Sequence, residues 1–100
     1  MSKYGSIRSG KYASKREERR AQELTLLQRC GEISNLEEQV RYELVPRQGT
    51  ERAVTYTADF RYTNRNGETV VEDSKGARTQ QYVIRRKLML WIHKIRVVEV

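Results

Sequence analysis

The stretch that decides the fold is a pair of segments, Tyr56-Thr57-Ala58-Asp59-Phe60 and Val70-Val71-Glu72-Asp73-Ser74-Lys75-Gly76, with Asn64-Arg65-Asn66-Gly67 between them. Val54, Tyr56, Ala58, Phe60 and Tyr62 alternate with other residues, the period of a half-buried strand. Asn66-Gly67 is expected to supply the positive φ angles of a hairpin turn. Glu68 to Lys75 then reads as the return strand, which puts Asp59 and Asp73 on neighbouring antiparallel strands. Asp73 and Lys75 share a face, because strand side chains alternate. Glu72 faces the opposite way and reads as a solvated charge. Charges beside apolar strand neighbours cost desolvation, so two aspartates and a lysine there make a poor structural device. They make a good divalent-metal site, since hard cations take carboxylate oxygens and a nearby ammonium steadies hydroxide or developing phosphate charge.

Outward from this hairpin, Ser14-Lys15-Arg16-Glu17 is a helix-start signature, with Ser14 as N-cap and Glu17 three residues on. The helix is expected to run to about Cys30, with Gly31 in the left-handed position after it. Ala21, Leu24 and Leu27 form its apolar stripe, and Glu17 leaves the helix on the same side, one turn earlier. Glu32 to Glu38 reads as a connector. Gln39 to Leu44 alternates as a strand with Val40, Tyr42 and Leu44 inward, ended by Pro46 and Gly49. Beyond Gly76, the segment from about Thr79 to Lys94 has helical spacing through Val83, Ile84, Lys87, Leu88 and Trp91. Trp91 is expected in the core, with Leu90 and Ile92 widening the apolar surface. Ile95 to Val100 closes the chain as a strand beside the sheet centre. The order is αβββαβ: an α/β (α+β) fold with a mixed four-stranded sheet flanked by helices.

One hundred residues, 37% of them hydrophobic, suffice for one compact core. Residues 14–100 are read as that single domain. Residues 1–13, rich in Ser, Gly, Lys and Tyr, are read as a flexible basic arm. A chain this small makes a homodimer plausible on stability grounds. The formal charge of +7 points to a polyanionic partner, nucleic acid before anionic membrane, although a basic surface kept for solubility has the same composition. The single cysteine, Cys30, excludes an intrachain disulfide and a cysteine-rich zinc site, and reads as a packing residue at a helix end. No apolar run is long enough to span a bilayer and the polar N-terminus has no signal-peptide pattern, so a cytoplasmic location is expected.

Glu17, Asp59, Asp73 and Lys75, on this order of elements, resemble the PD-(D/E)XK nuclease superfamily, whose restriction-endonuclease-like core is αβββαβ with metal-binding acids on the central hairpin. The chain is most similar to a family of short phage and prophage proteins catalogued as a domain of unknown function. That resemblance runs through Ser14-Lys-x-Glu17, Glu23-Leu24-x-Leu-Leu27, Gln39-Val40, Tyr56-x-Ala-Asp-Phe60, Val71-Glu-Asp-x-Lys-Gly76 and Thr79 to Lys87-Leu88. It implies that Asp59 and Asp73 ligate Mg²⁺ or Mn²⁺ with the Ser74 carbonyl, that Lys75 orients or activates the attacking water, and that Glu17 completes the shell or positions that water. Gln39 matches a polar position near such sites. Two departures stand out: Ala58 replaces the proline before Asp59, and the third-strand acid is Asp rather than Glu. The activity implied is endonucleolytic hydrolysis of DNA, in the manner of junction resolvases. Backbone contacts would dominate binding, with no membrane partner.

Each residue also has a plainer reading. Glu17 fits equally as the N3 partner of the Ser14 cap. Asp59 fits an ion pair with Arg61 or Lys75, and Asp73 with Lys75 fits a solvated strand face. Lys15, Arg78, Arg85, Arg86 and Lys87 form either a phosphate-binding stripe or the outer side of helices. A non-catalytic nucleic-acid-binding module, or a subunit of a phage replication or packaging complex, is the alternative function.

Overall fold

The computed structural model describes residues 12–74 and 78–100. Its elements are α1 (Lys15–Arg29), β1 (Ser34–Val45), β2 (Val54–Thr63), β3 (Thr69–Asp73), α2 (Gln80–Leu88) continuing into a π-helical turn (Met89–His93), and β4 (Val98–Glu99). The sheet order is β1-β2-β3-β4. The first three strands are antiparallel neighbours, and β4 runs parallel to β3. The expected αβββαβ order and mixed four-stranded sheet are therefore the observed ones.

Local chemistry explains the elements. The Ser14 hydroxyl accepts the Glu17 amide at 3.1 Å, capping α1. Gly31, at φ +79°, takes the left-handed position after the helix. In the hairpin turn only Gly67 adopts a positive φ, +81°. Asn66 does not, which corrects the expectation for the Asn-Gly pair. Asn64 does the shaping instead: its side-chain oxygen accepts the amides of Asn66 and Glu68, both at 2.9 Å. Thr79 caps α2 through the Tyr82 amide.

Two apolar clusters hold the layers together. One gathers Ala21 and Leu24 of α1 with Phe60 and Tyr62. The other gathers Tyr82 and Met89 with Leu44, Tyr56, Ala58, Val71 and Val97. Strand β2 thus feeds the α2 cluster before Asp59 and the α1 cluster after it.

Several sequence expectations are corrected here. The presumed connector from Glu32 belongs largely to β1, which starts at Ser34 and carries a register shift between Ser34 and Glu37. Glu72 is not a solvated charge but is 1% exposed. It lies on a strand covered on both sides, where alternation no longer sorts inside from outside. Trp91 is 75% exposed, and Met89 occupies the core in its place. The wider π turn shifts the side-chain register, so the spacing of an ideal helix misassigns this residue. Ile84, Leu90 and Ile92 are likewise exposed. Cys30 caps the C-terminus of α1 and is exposed, not packed. Strand β4 does lie beside the interior strand β3, but it has two residues and forms the sheet edge. No helix among the described residues is long and apolar enough to cross a membrane.

Candidate active site

The ladder between β2 and β3 runs from Thr63↔Thr69 to Phe60↔Glu72. Asp59 and Asp73 come immediately after its last pair. There the Ser74 amide is accepted by the Asp59 carboxylate at 2.8 Å rather than by a backbone carbonyl. One aspartate thereby fixes the chain that follows the other. Asp73 is 1% exposed, and its carboxylate accepts the Tyr56 hydroxyl at 2.5 Å. Burial, then this hydrogen bond, pushes the Tyr56 pKa far up, so the phenol stays a donor. The Ser74 hydroxyl is buried and has no hydrogen-bond partner among the described residues.

Glu17 enters from α1. It is buried, and its carboxylate accepts the Gln39 side-chain amide at 2.9 Å. Gln39 stands opposite Asp59, between the pairs Glu38↔Phe60 and Val40↔Ala58, in the left-handed region at φ +54°. A non-glycine residue held there is an uncommon and costly conformation. Burial raises the pKa of Glu17 above the ordinary carboxyl value, and the nearby charges of Asp59 and Glu38 raise it further. The Asp59 charge is thus close enough for Glu17 to feel it.

A second network braces these acids. Arg20, one turn after Glu17, donates twice to Glu72, at 2.8 and 2.7 Å, and Tyr62 donates to the same carboxylate. This links the helix carrying Glu17 to the residue before Asp73. The network raises the Arg20 pKa, chiefly through the Glu72 hydrogen bonds, and burial with the same carboxylate pushes Tyr62 up to about 12. Sequence reading missed Arg20, Tyr56 and Tyr62. A usable signal existed for Arg20, which lies on the same helical side as Glu17 and Leu24.

The structure therefore brings Glu17, Asp59, Asp73 and Ser74 to one end of the β2–β3 ladder. Lys75 lies outside the described residues, so its expected role has no geometry here. The pairing of Asp59 with Arg61 is not formed, since Arg61 is engaged by Glu37 and Tyr42. The basic stripe divides. Arg78 and Arg86 both pair with Glu99, at 2.5 and 2.9 Å. Arg85 is half-buried apart from them, and Lys15 and Lys87 are exposed.

Among the described residues no three His, Cys, Asp or Glu side chains gather closely enough to cage a metal ion. The donors present are carboxylate, hydroxyl and carbonyl oxygens. Mg²⁺ is commonly held by one or two carboxylates with waters and substrate phosphate completing the shell, so two aspartates beside Ser74 fit it. The unpartnered Ser74 hydroxyl in the same place is a polar atom that such a hydrated ion would satisfy.

A family model described as "Protein of unknown function (DUF1064)" matches residues 1–98. No curated protein and no solved structure matches the chain. The resemblance to a family of unknown function is accordingly met, while none of these comparisons connects the chain to the PD-(D/E)XK superfamily.

Proposed function

The chain belongs to the DUF1064 family of proteins of unknown function, and on the geometry of its strand-end acids we propose that it is a divalent-metal-dependent endodeoxyribonuclease of PD-(D/E)XK type. The observation that carries this reading is the Asp59–Ser74 hydrogen bond, which sets Asp59, Asp73 and a buried hydroxyl without a partner among the described residues together where the β2–β3 ladder ends. Buried Asp73 and Glu17 brought towards half-buried Asp59 at the end of a ladder are a costly arrangement for stability alone.

Asp59, Asp73 and the Ser74 carbonyl would hold Mg²⁺ or Mn²⁺, which when bound polarises a phosphodiester and lowers the pKa of a bound water. Tyr56 fixes the Asp73 carboxylate by donating to it. Gln39 does the same for Glu17, whose raised pKa suits it to take a proton from water near the reacting phosphate. Lys75, two residues after Asp73, would orient that water. The net charge of +7 supplies sequence-independent attraction for the DNA backbone. A dimer would present two such sites to the strands of a branched junction, the substrate attached to this reading.

The test is a cleavage panel of duplex, flap, fork and four-way junction DNA. Cleavage is expected with Mg²⁺ or Mn²⁺ and is lost in EDTA, while Ca²⁺ supports binding with little cutting. Asp59→Asn and Asp73→Asn should retain binding and lose cleavage. Cutting that persists in chelator, or full activity in either variant, refutes the site. Binding without cutting of any substrate by the wild type would favour the non-catalytic module.

A further inference from the structure

A second cleft, of about 270 Å³, lies between β2 and the start of α2, lined by Thr55, Tyr56, Thr57, Thr79, Tyr82 and Arg85. Its notable member is Arg85. The Nε of this half-buried guanidinium is fully buried and has no acceptor among the described residues. Among the described residues, the other half-buried arginines, Arg20, Arg61 and Arg86, are each paired with a glutamate, Glu72, Glu37 and Glu99. A buried donor left without an acceptor forfeits its hydration, and natural folds rarely keep one without a use.

The rest of the wall suits an anionic oxygen. The Thr79 hydroxyl accepts the Tyr82 amide and keeps its own proton to donate. Thr55 and Thr57 bring two more hydroxyls from β2. Both tyrosine hydroxyls are already turned to acids, Tyr56 to Asp73 and Tyr82 to Glu99. Tyr56 is therefore common to both places: it lines this cleft and its hydroxyl donates to Asp73. A planar guanidinium with hydroxyl donors is the arrangement that recognises phosphate.

We propose that this cleft seats a backbone phosphate of the nucleic-acid strand, through Arg85 and the threonine hydroxyls, beside the candidate active site. The inference deepens the function proposed above, and its test needs no cleavage. In EDTA, the Arg85 Nε–H resonance of the full chain is followed while inorganic phosphate, or an oligothymidylate, is added. A shift with the oligonucleotide is expected. Arg85→Gln should weaken oligonucleotide binding and flatten the log–log salt slope by roughly 0.7, the share of one single-strand phosphate. Arg85→Lys keeps the charge without the Nε–H and should rescue poorly. Arg85→Met should melt at or above the wild-type temperature, because it removes an unmatched donor, whereas an arginine with a structural role would lower it. An Arg85 signal unmoved by both additions, or an unchanged slope in Arg85→Gln, overturns the proposal. A shift with phosphate but none with the oligonucleotide assigns the cleft to free phosphate and overturns the strand as its occupant. Absence of nuclease activity leaves every one of these readings intact.

Discussion

Arg20 and Glu72 make a sharp test of how the acid-bearing elements are held together. The Glu72 side chain is 2% exposed, whereas that of Arg20 is 25% exposed. Breaking a buried pair from one side costs about 3–5 kcal/mol, because the remaining charge stays buried without compensation. The two single substitutions should therefore differ. Arg20→Met strands a carboxylate that water cannot reach, leaving Tyr62 as its one donor among the described residues, and should cost near that full amount. Glu72→Gln strands a guanidinium that water does reach and that also holds Glu23 at 3.0 Å, so its cost should be roughly 1–3 kcal/mol. Replacing both with apolar residues, Arg20→Met with Glu72→Leu, removes the charges together and should recover most of the loss. The assay is urea denaturation at pH 7. With a slope of about 1–3 kcal/mol per M, Arg20→Met should lower the midpoint by at least about 1 M. By heat, each kcal/mol corresponds to roughly 4–8 °C in a domain of this size. A Glu72→Gln loss equal to or larger than that of Arg20→Met would refute the reasoning from burial. So would a double variant as unstable as Arg20→Met alone.

Two further outcomes follow from the same structure. Burial first, and the Asp59 charge next, raise the Glu17 pKa, so the folded chain binds that proton more tightly than the unfolded one. The ionised Glu17 then costs stability above its folded pKa, and the cost vanishes as pH falls below its ordinary value; Glu17→Gln should be the more stable protein at pH 7, with the gap closing towards pH 4 in parallel melts, and a gap independent of pH would contradict the shift. Trp91, largely exposed beside the Lys94 ammonium at 5.3 Å, should emit at long wavelength in the native state and be quenched freely by acrylamide; a blue-shifted, protected emission would place it in the core after all.

How much of this was legible in sequence depended on whether a local rule decided the outcome. The Ser14 cap, the Gly31 position and the alternation of β2 are decided within a few residues, and they stand as read. The juxtaposition of Asp59 with the end of β3 followed from the hairpin alone. Glu72 was misread because period-two alternation assumes one wet face, while β3 is closed on both by other parts of the chain. Trp91 was misread because one π turn breaks the helical count. The left-handed Gln39 and the Tyr56–Asp73 contact could not be read at all, since both depend on how β1 and β2 lie against elements distant in sequence. The pairing of Arg78 and Arg86 with Glu99 likewise needed β4 in place.

Strand β4 has a consequence for how the protein breathes. Among the described residues it joins the sheet by two parallel pairs, Glu72↔Val98 and Asp73↔Glu99, and by the Val100 amide on the Asp73 carbonyl at 3.1 Å. Arg16, beside Glu17, reaches the Val100 carbonyl at 3.2 Å. These bonds close over the backbone of Asp73, yet the β1–β3 meander owes them nothing. Such a short ladder opens at a small fraction of the global unfolding free energy. The C-terminal segment is therefore expected to open before the β1–β2 ladder does, which faster hydrogen exchange at the Val100 amide would show. Each detachment would bare the Asp73 carbonyl and release Glu99 from the strand edge that Arg78, Tyr82 and Arg86 share. The acid-bearing end of β3 is thus closed on one side by the most sparsely paired strand of the sheet.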